Sequence, residues 1–419
     1  MKFRRVVVAA MGLLVAATSA HAATYEILHS FNVESDGSDP RAVLLRGKDG
    51  VLYGTTSNGG IGSCYSQQCG VVFSLTPPRQ GISRWTYKVL HRFAGIPDGG
   101  ISYSPLVIDA NGVLYGTTFA GGAGDPGFGM GVVFRLAPPC CGQSEWNYSV
   151  IHTFNGAPND GEGPMGGLFL SESGALYGTT EYGGRHGHGS VYKLRPPPTP
   201  QAPWTFSLLY SFPNNMYWDP FGSLVADSRG NFFGVTSGGG RQSCHCGSLF
   251  KLSPPAGGAT QWRLTLLHSF ANSPDGATPE YALILRDNIL YGGTVQGGAG
   301  NGGVVFIYDL TKNKYGLVHK FTGSEGATIN STLFADARGA LYGVAGFDNV
   351  HFSGTVFKLS PPPSGMTAWT ATVLHTFTGK PRDGSAPYGG LVKIPGGPFV
   401  GTTGIGGSKN LGTIFSLSP

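Results

Sequence analysis

Val113-Leu114-Tyr115-Gly116-Thr117-Thr118 decides the fold, because the chain spells this segment seven times. Leu52–Thr56 and Leu176–Thr180 repeat Leu-Tyr-Gly-Thr-Thr outright. Phe232–Thr236, Leu290–Thr294, Leu341–Ala345 and Phe399–Thr403 repeat it with drift. A short run that mixes aromatic, β-branched and glycine residues reads as a strand. The copies begin 51 to 62 residues apart.

Each copy sits among other constant features. Upstream lies a His-x-Phe strand, as in Val89-Leu90-His91-Arg92-Phe93. An Asp-Gly turn follows at Asp36, Asp98, Asp160, Asp275 and Asp383, with Glu325-Gly326 as a variant. Eight residues past each of these acids is a leucine, from Leu44 to Leu391. The fourth unit lacks the turn but keeps its leucine, Leu224. A second turn, such as Asn111-Gly112, leads into Leu-Tyr-Gly and predicts a hairpin. Downstream come a Gly-Gly loop, as at Gly121-Gly122, and a Gly-x-Val-Phe strand, as at Gly131–Leu136. In five of the first six units a proline pair and then a tryptophan close the unit, at Trp85, Trp146, Trp204, Trp262 and Trp369.

Four short strands repeated seven times predict an all-β, seven-bladed β-propeller. The units lie near 36–93, 98–154, 160–212, 216–270, 275–321, 325–377 and 383–419. The last unit lacks a fourth strand, and residues 24–31 supply one with no unit before it. The two ends are expected to complete one blade and close the ring, which removes two sheet edges.

The units resemble the GloVer tandem repeats of exported bacterial "choice-of-anchor" proteins, through Leu-Tyr-Gly-Thr-Thr, the Gly-Gly loop and Gly-x-Val-Phe-x-Leu. The resemblance covers essentially all of 24–419 and implies a β-propeller type of fold. It brings no catalytic residues. Members often end in a surface-sorting segment; its absence here points to a periplasmic or freely secreted protein.

Residues 1–22 read as a secretory leader, with Lys2, Arg4 and Arg5, an apolar run from Val6 to Ala17, and Ala20-His21-Ala22 before the cut. Residues 23–419 are then a single domain without a membrane span, expected to be a monomer. The formal net charge of +5 falls to near +2 once the three leader charges leave, so nucleic acid is not an expected partner. Export and an even count favour disulfides among Cys64 and Cys69, Cys140 and Cys141, and Cys244 and Cys246, although the adjacent pair would need a strained vicinal bond. Metal ligation by Cys244-His245-Cys246 is the weaker alternative, the spacing being short for zinc.

Features shared by every blade mark scaffold. The histidines His29, His91, His152, His268, His319 and His375 are expected to brace the following turn, and the tryptophans to pack between blades. Departures mark candidate sites. Glu181, Tyr182, Arg185, His186 and His188 follow the third copy; Arg241 and His245 follow the fourth, preceded by Tyr217 and Trp218; Phe347, Asp348 and His351 follow the sixth. All belong to the Asp-Gly and Gly-Gly loops, expected on one face of the ring. His186, His188 and Glu181 are candidate ligands for a transition metal, and Arg185, His186, His188 and His245 are candidate catalytic groups. Ca²⁺ could bind through loop carbonyls, but no cofactor motif, nucleophile elbow, phosphate loop or zinc-protease motif is present. The expectation is a binding or scaffold module for a glycan, peptide or envelope protein. The alternative is a secreted polysaccharide lyase, hydrolase or lactonase.

Overall fold

The computed structural model describes residues 23–419 apart from 33–35, 65–66, 80–83, 123–128, 200–201, 214–217, 241–243, 324, 348–352 and 380. The expected leader, Tyr217, Arg241, Asp348 and His351 therefore lie outside the described residues, as does the side chain of Phe347.

The chain is an all-β propeller of seven blades. In the second blade an inner strand, Val107–Ile108, pairs with Leu114–Thr118, then Val132–Ala137, then the outer strand Asn147–Thr153, all antiparallel. The seventh blade combines Gly384–Lys393, Phe399–Gly406 and Thr413–Ser418 with Thr24–Ser30 from the other end of the chain. Ring closure by the N-terminal strand is as expected.

In the first five blades the inner strands are short, pairing for two or three residues that begin just past the constant leucine. The cause lies upstream. The third residue past each turn acid, and its equivalent in the fourth unit, has a left-handed backbone: Asp39, Ile101, Gly163, Asp219, Thr278, Thr328 and Ala386, with φ between 44° and 62°. Such a residue breaks the ladder, and the proline that usually follows has no N–H to give it.

The left-handed residue ties blades together instead. Its N–H donates to the carbonyl that precedes the third strand of the previous blade: Ile101 to Cys69 at 2.8 Å, Gly163 to Met130 at 2.9 Å, Thr278 to Cys246 at 2.8 Å. Asp39 to Leu411, at 3.1 Å, makes the same bond between the first and seventh blades.

Leu-Tyr-Gly-Thr-Thr divides its labour. Leu114 is fully buried. A Cβ on Gly116 would stand 2.5 Å from Phe134 Cζ and 2.7 Å from Leu106 Cδ2, so the glycine seats both core side chains. Thr117 donates to the Gly166 carbonyl of the next blade at 3.3 Å, as Thr179 does to Gly222 at 3.4 Å. Thr118 closes its own turn on the Ala120 carbonyl at 2.8 Å.

The histidines brace their turns as expected. His29, His91, His152, His268 and His375 meet Asp36, Asp98, Asp160, Asp275 and Asp383 at 2.8–3.2 Å, and His319 lies 3.4 Å from Glu325. A bulge just before each of these histidines turns the ring toward the acid. The imidazole also stacks on an aromatic ring of the next blade: His91 on Tyr148 at 3.8 Å, His268 on Tyr315 at 3.9 Å. Tyr25 stacks on His375 at 4.2 Å, so the N-terminal strand makes the standard blade contact. Trp146 and Trp204 pack edge-on against Tyr53 and Tyr115 of the preceding blades.

Cys64–Cys69 and Cys244–Cys246 are bridged. Cys140 and Cys141 are free and exposed, which corrects the third expected pair. Adjacent cysteines bond only by distorting the peptide between them, and this exposed turn does not impose that distortion.

The third blade carries Tyr192 where the others have phenylalanine, and its buried hydroxyl has no hydrogen-bond partner among the described residues. Tyr192→Phe is expected to raise stability by about 1–2 kcal/mol, because a buried unsatisfied hydroxyl costs its desolvation. Gly116→Ala is expected to lower it by about 1–3 kcal/mol through overpacking. Urea denaturation of both variants beside the parent checks the opposite signs.

Candidate functional site

The loop residues singled out from the sequence do not converge. Arg185 and His186 are exposed, and their side chains meet no acid among the described residues. The Arg185 N–H donates to Ser211 Oγ at the end of an outer strand, which holds this loop away from the ring axis. His245 sits exposed between two bridged cysteines. Trp218, expected as a binding aromatic, is instead core: it is 6% exposed and packs on Phe212 at 5.6 Å. The fourth unit has neither the turn acid nor the histidine, and the indole fills space there. Among the described residues no three His, Cys, Asp or Glu side chains are grouped to hold a metal, so Glu181, His186 and His188 are not assembled as a ligand set.

Glu181 and Tyr182 lead elsewhere. Their side chains are hydrogen-bonded to each other. Burial raises the Glu181 pKa, and Asp219 and Glu162 add to the rise. Asp219 is likewise raised by burial, opposed by His188. The acidic wall continues to Glu280, whose pKa is pushed up to about 7 by burial and then by the Glu181 charge. Glu280 lies on the ring axis.

There the inner segments of all seven blades enclose a cavity of about 380 Å³, within the range of small-molecule sites. Five residues past each turn acid, and at the equivalent place in the fourth unit, stand Arg41, Tyr103, Met165, Phe221, Glu280, Asn330 and Tyr388. One residue per blade thus reaches one space. Tyr281 and Phe119 complete the aromatic wall. The left-handed residue two places earlier sets this aim, since it turns the chain from the blade seam down the axis.

Arg41 Nε donates to Asp39 Oδ2 at 2.8 Å. Its guanidinium lies 5.0 Å from the Tyr388 ring centre and 5.5 Å from that of Tyr103, between rings from the two neighbouring blades. Burial raises the Tyr281 pKa, and the Glu280 charge adds to it, while Arg41 opposes. Glu280 makes no hydrogen bond or ion pair with any described residue. The pocket therefore offers aromatic faces, a positioned guanidinium and a carboxyl near its titration point. Sequence reasoning missed this row. Its signal was variation, six residue types across seven copies beside a near-constant proline and leucine.

The Gloeobacter/Verrucomicrobia repeat pattern matches residues 8–212, 61–284 and 247–419. No curated protein matches the chain. Similar solved structures include the extracellular domain of a one-component system from B. thetaiotaomicron, at 12% identity over 93% of this chain and 40% of that one, with a TM-score of 0.54. The extracellular domain of a hybrid two-component system from B. thetaiotaomicron aligns at 13% identity over 94% and 40%, with a TM-score of 0.52. A Bacteroides uniformis protein described as a 6-phosphogluconolactonase aligns at 12% identity over 82% and 86%, with a TM-score of 0.49. The chain spans about two-fifths of the B. thetaiotaomicron domains, and likeness at such identity concerns the fold.

Glu280→Gln is expected to stabilise the protein at pH 8.5 by about 1–3 kcal/mol. An acid whose folded pKa is raised destabilises the fold as pH climbs from its ordinary value, 4.5, through about 7. Below 4.5 both states are protonated and the advantage vanishes. Urea unfolding of parent and variant at pH 4 and pH 8.5 checks both ends.

Proposed function

The chain belongs to the Gloeobacter/Verrucomicrobia repeat family, and from that premise we propose that it is an exported binding module that holds a sugar unit of a glycan in its axial pocket. One observation carries the reading: the axial positions vary from blade to blade and meet in one cavity, where they gather Tyr103, Phe221 and Tyr388 beside Arg41, Glu280 and Asn330. Aromatic faces cover the apolar face of a sugar ring, while a few fixed polar groups read its hydroxyls. Export is supported by the expected leader and by two disulfides. Among the described residues no helix is long and apolar enough to cross a membrane. Glu181 and Tyr182 stand beside the mouth as secondary contacts.

A catalytic reading, as a polysaccharide lyase, hydrolase or lactonase, draws on Glu280. An unpartnered carboxyl titrating near 7 is suited to general acid–base work. Among the described residues no second group is placed as its partner, and the gathered aromatic wall favours binding. The catalytic candidates His186 and His188 remain outside this pocket's lining.

A panel of soluble oligosaccharides, measured by calorimetry and scored for cleavage products, tests both. Tyr388→Ala is expected to weaken binding about 10-fold or more, as loss of a central aromatic contact does, while His186→Ala changes nothing. Retained binding in Tyr388→Ala and Phe221→Ala, or loss in His186→Ala, would overturn the axial assignment. Cleavage that disappears in Glu280→Gln would replace binding with catalysis.

A further inference from the structure

We propose that Arg41 is a carboxylate clamp and that the glycan bound in the axial pocket carries a uronic acid. The inference rests on the axial glycan reading and names the sugar class.

Among the described residues Arg41 is the only cation in the pocket lining. Its Nε is committed to Asp39 at 2.8 Å, and Asp39 is itself fixed by Ser57 Oγ at 2.9 Å. Gly404 leaves room for this arrangement: a Cβ there would stand 2.5 Å from Asp39 Oδ1 and 3.1 Å from the Tyr388 ring. Asp39 holds the left-handed backbone that clasps the first blade to the seventh. The anchor of the arginine is thus part of the ring closure and cannot drift.

The terminal nitrogens of Arg41 make no hydrogen bond with any described residue. The side chain remains 43% exposed, toward the cavity it lines. Arg286 shows the contrasting structural use. Both of its terminal nitrogens donate to backbone carbonyls, of Asp336 at 2.5 Å and of Ala337 at 3.4 Å. In Arg41 the Nε edge of the guanidinium is held, its centre lies over the Tyr388 and Tyr103 rings, and the side chain lines the pocket.

Such a fork has lost little further freedom when it pairs, and it matches two oxygens of one anion. A planar fork pairs two parallel N–H groups with the two oxygens of a flat carboxylate, which gives geometric selection as well as charge. A uronic acid places that carboxylate on a ring whose apolar face the aromatic wall can cover. Across the cavity Glu280, in its protonated form, donates a hydrogen bond to a hydroxyl or ring oxygen and adds no repulsion.

The test uses the full chain and calorimetry with trimers of galacturonate, mannuronate and glucuronate, their methyl esters, and a sulfated neutral trisaccharide. At least one uronate trimer is expected to bind about 10- to 100-fold tighter than its methyl ester, the size of a charge-assisted pair. Arg41→Gln is expected to erase that preference, and Arg41→Lys to keep only part of it, with melting temperatures unchanged because Asp39 retains Ser57. Equal binding of acid and ester, or a preference that survives Arg41→Gln, would overturn the clamp while Tyr388-dependent sugar binding left the glycan reading standing. Tighter binding of the sulfated sugar than of any uronate would overturn the carboxylate assignment. Failure of every sugar to bind would remove the glycan reading itself and the clamp with it.

Discussion

The structure depends on a left-handed residue three places past each blade's opening turn. Six of the seven are not the glycine or asparagine that this conformation favours but Asp39, Ile101, Asp219, Thr278, Thr328 and Ala386; β-branched side chains there carry backbone strain of about 1 kcal/mol or more each. The strain is offset by what the conformation permits. The N–H reaches back to the preceding blade, while the carbonyl accepts from the blade's own second strand, as Ile101 does from Phe119 at 2.9 Å. One residue therefore links two blades and ends the ladder. The next residues are released from the sheet and run down the axis. The same device closes the ring and builds the pocket.

The outer half of each blade reinforces that seam. The turn acid binds the histidine of its own blade entrance, and the imidazole lies flat on an aromatic ring one blade on. The tyrosine hydroxyl returns a bond to the backbone of the turn, as Tyr315 does to the Asp275 carbonyl at 2.7 Å. Three weak contacts share one geometry, so each holds the others in place. Where the histidine is lost, in the fourth unit, Tyr210 and the buried Trp218 fill the seam with apolar surface instead. The fold tolerates either solution because what it requires is filled volume at the seam, not a particular charge pair.

Much of this was legible from repetition. Leu-Tyr-Gly and Gly-x-Val-Phe recur because a buried phenylalanine ring and a leucine need a neighbour without a side chain. That requirement is local, so it is written in every copy. The role of the histidines could also be read, since a residue repeated around a ring cannot mark one asymmetric site. The axial row was not legible in the same way. Met165, Phe221 and Asn330 share no chemistry, and a linear sequence does not say that position five past a turn points inward. That depends on the left-handed residue, and nothing in Ile, Thr or Ala announces a positive φ. The loop residues were conspicuous for the opposite reason. His186 and Arg185 are rare polar residues in a glycine-rich stretch, yet they sit at a tip beside an outer strand.

Radius explains why the conspicuous departures scatter and the quiet ones converge. Blade edges lie around a circumference, so a side chain at the rim meets only its own blade and one neighbour. At the axis seven side chains face a single cavity, and each substitution there changes the surroundings of all the others. Glu280 shows the coupling: its proton affinity answers to Glu181, which follows the second strand of a blade two units away. Arg41 shows it again, flanked by Tyr103 and Tyr388 from the blades on either side. In a ring of near-identical units, asymmetry becomes a site only where the copies can see one another. Here the variation that all seven blades bring to one space falls on seven residues that no single repeat distinguishes.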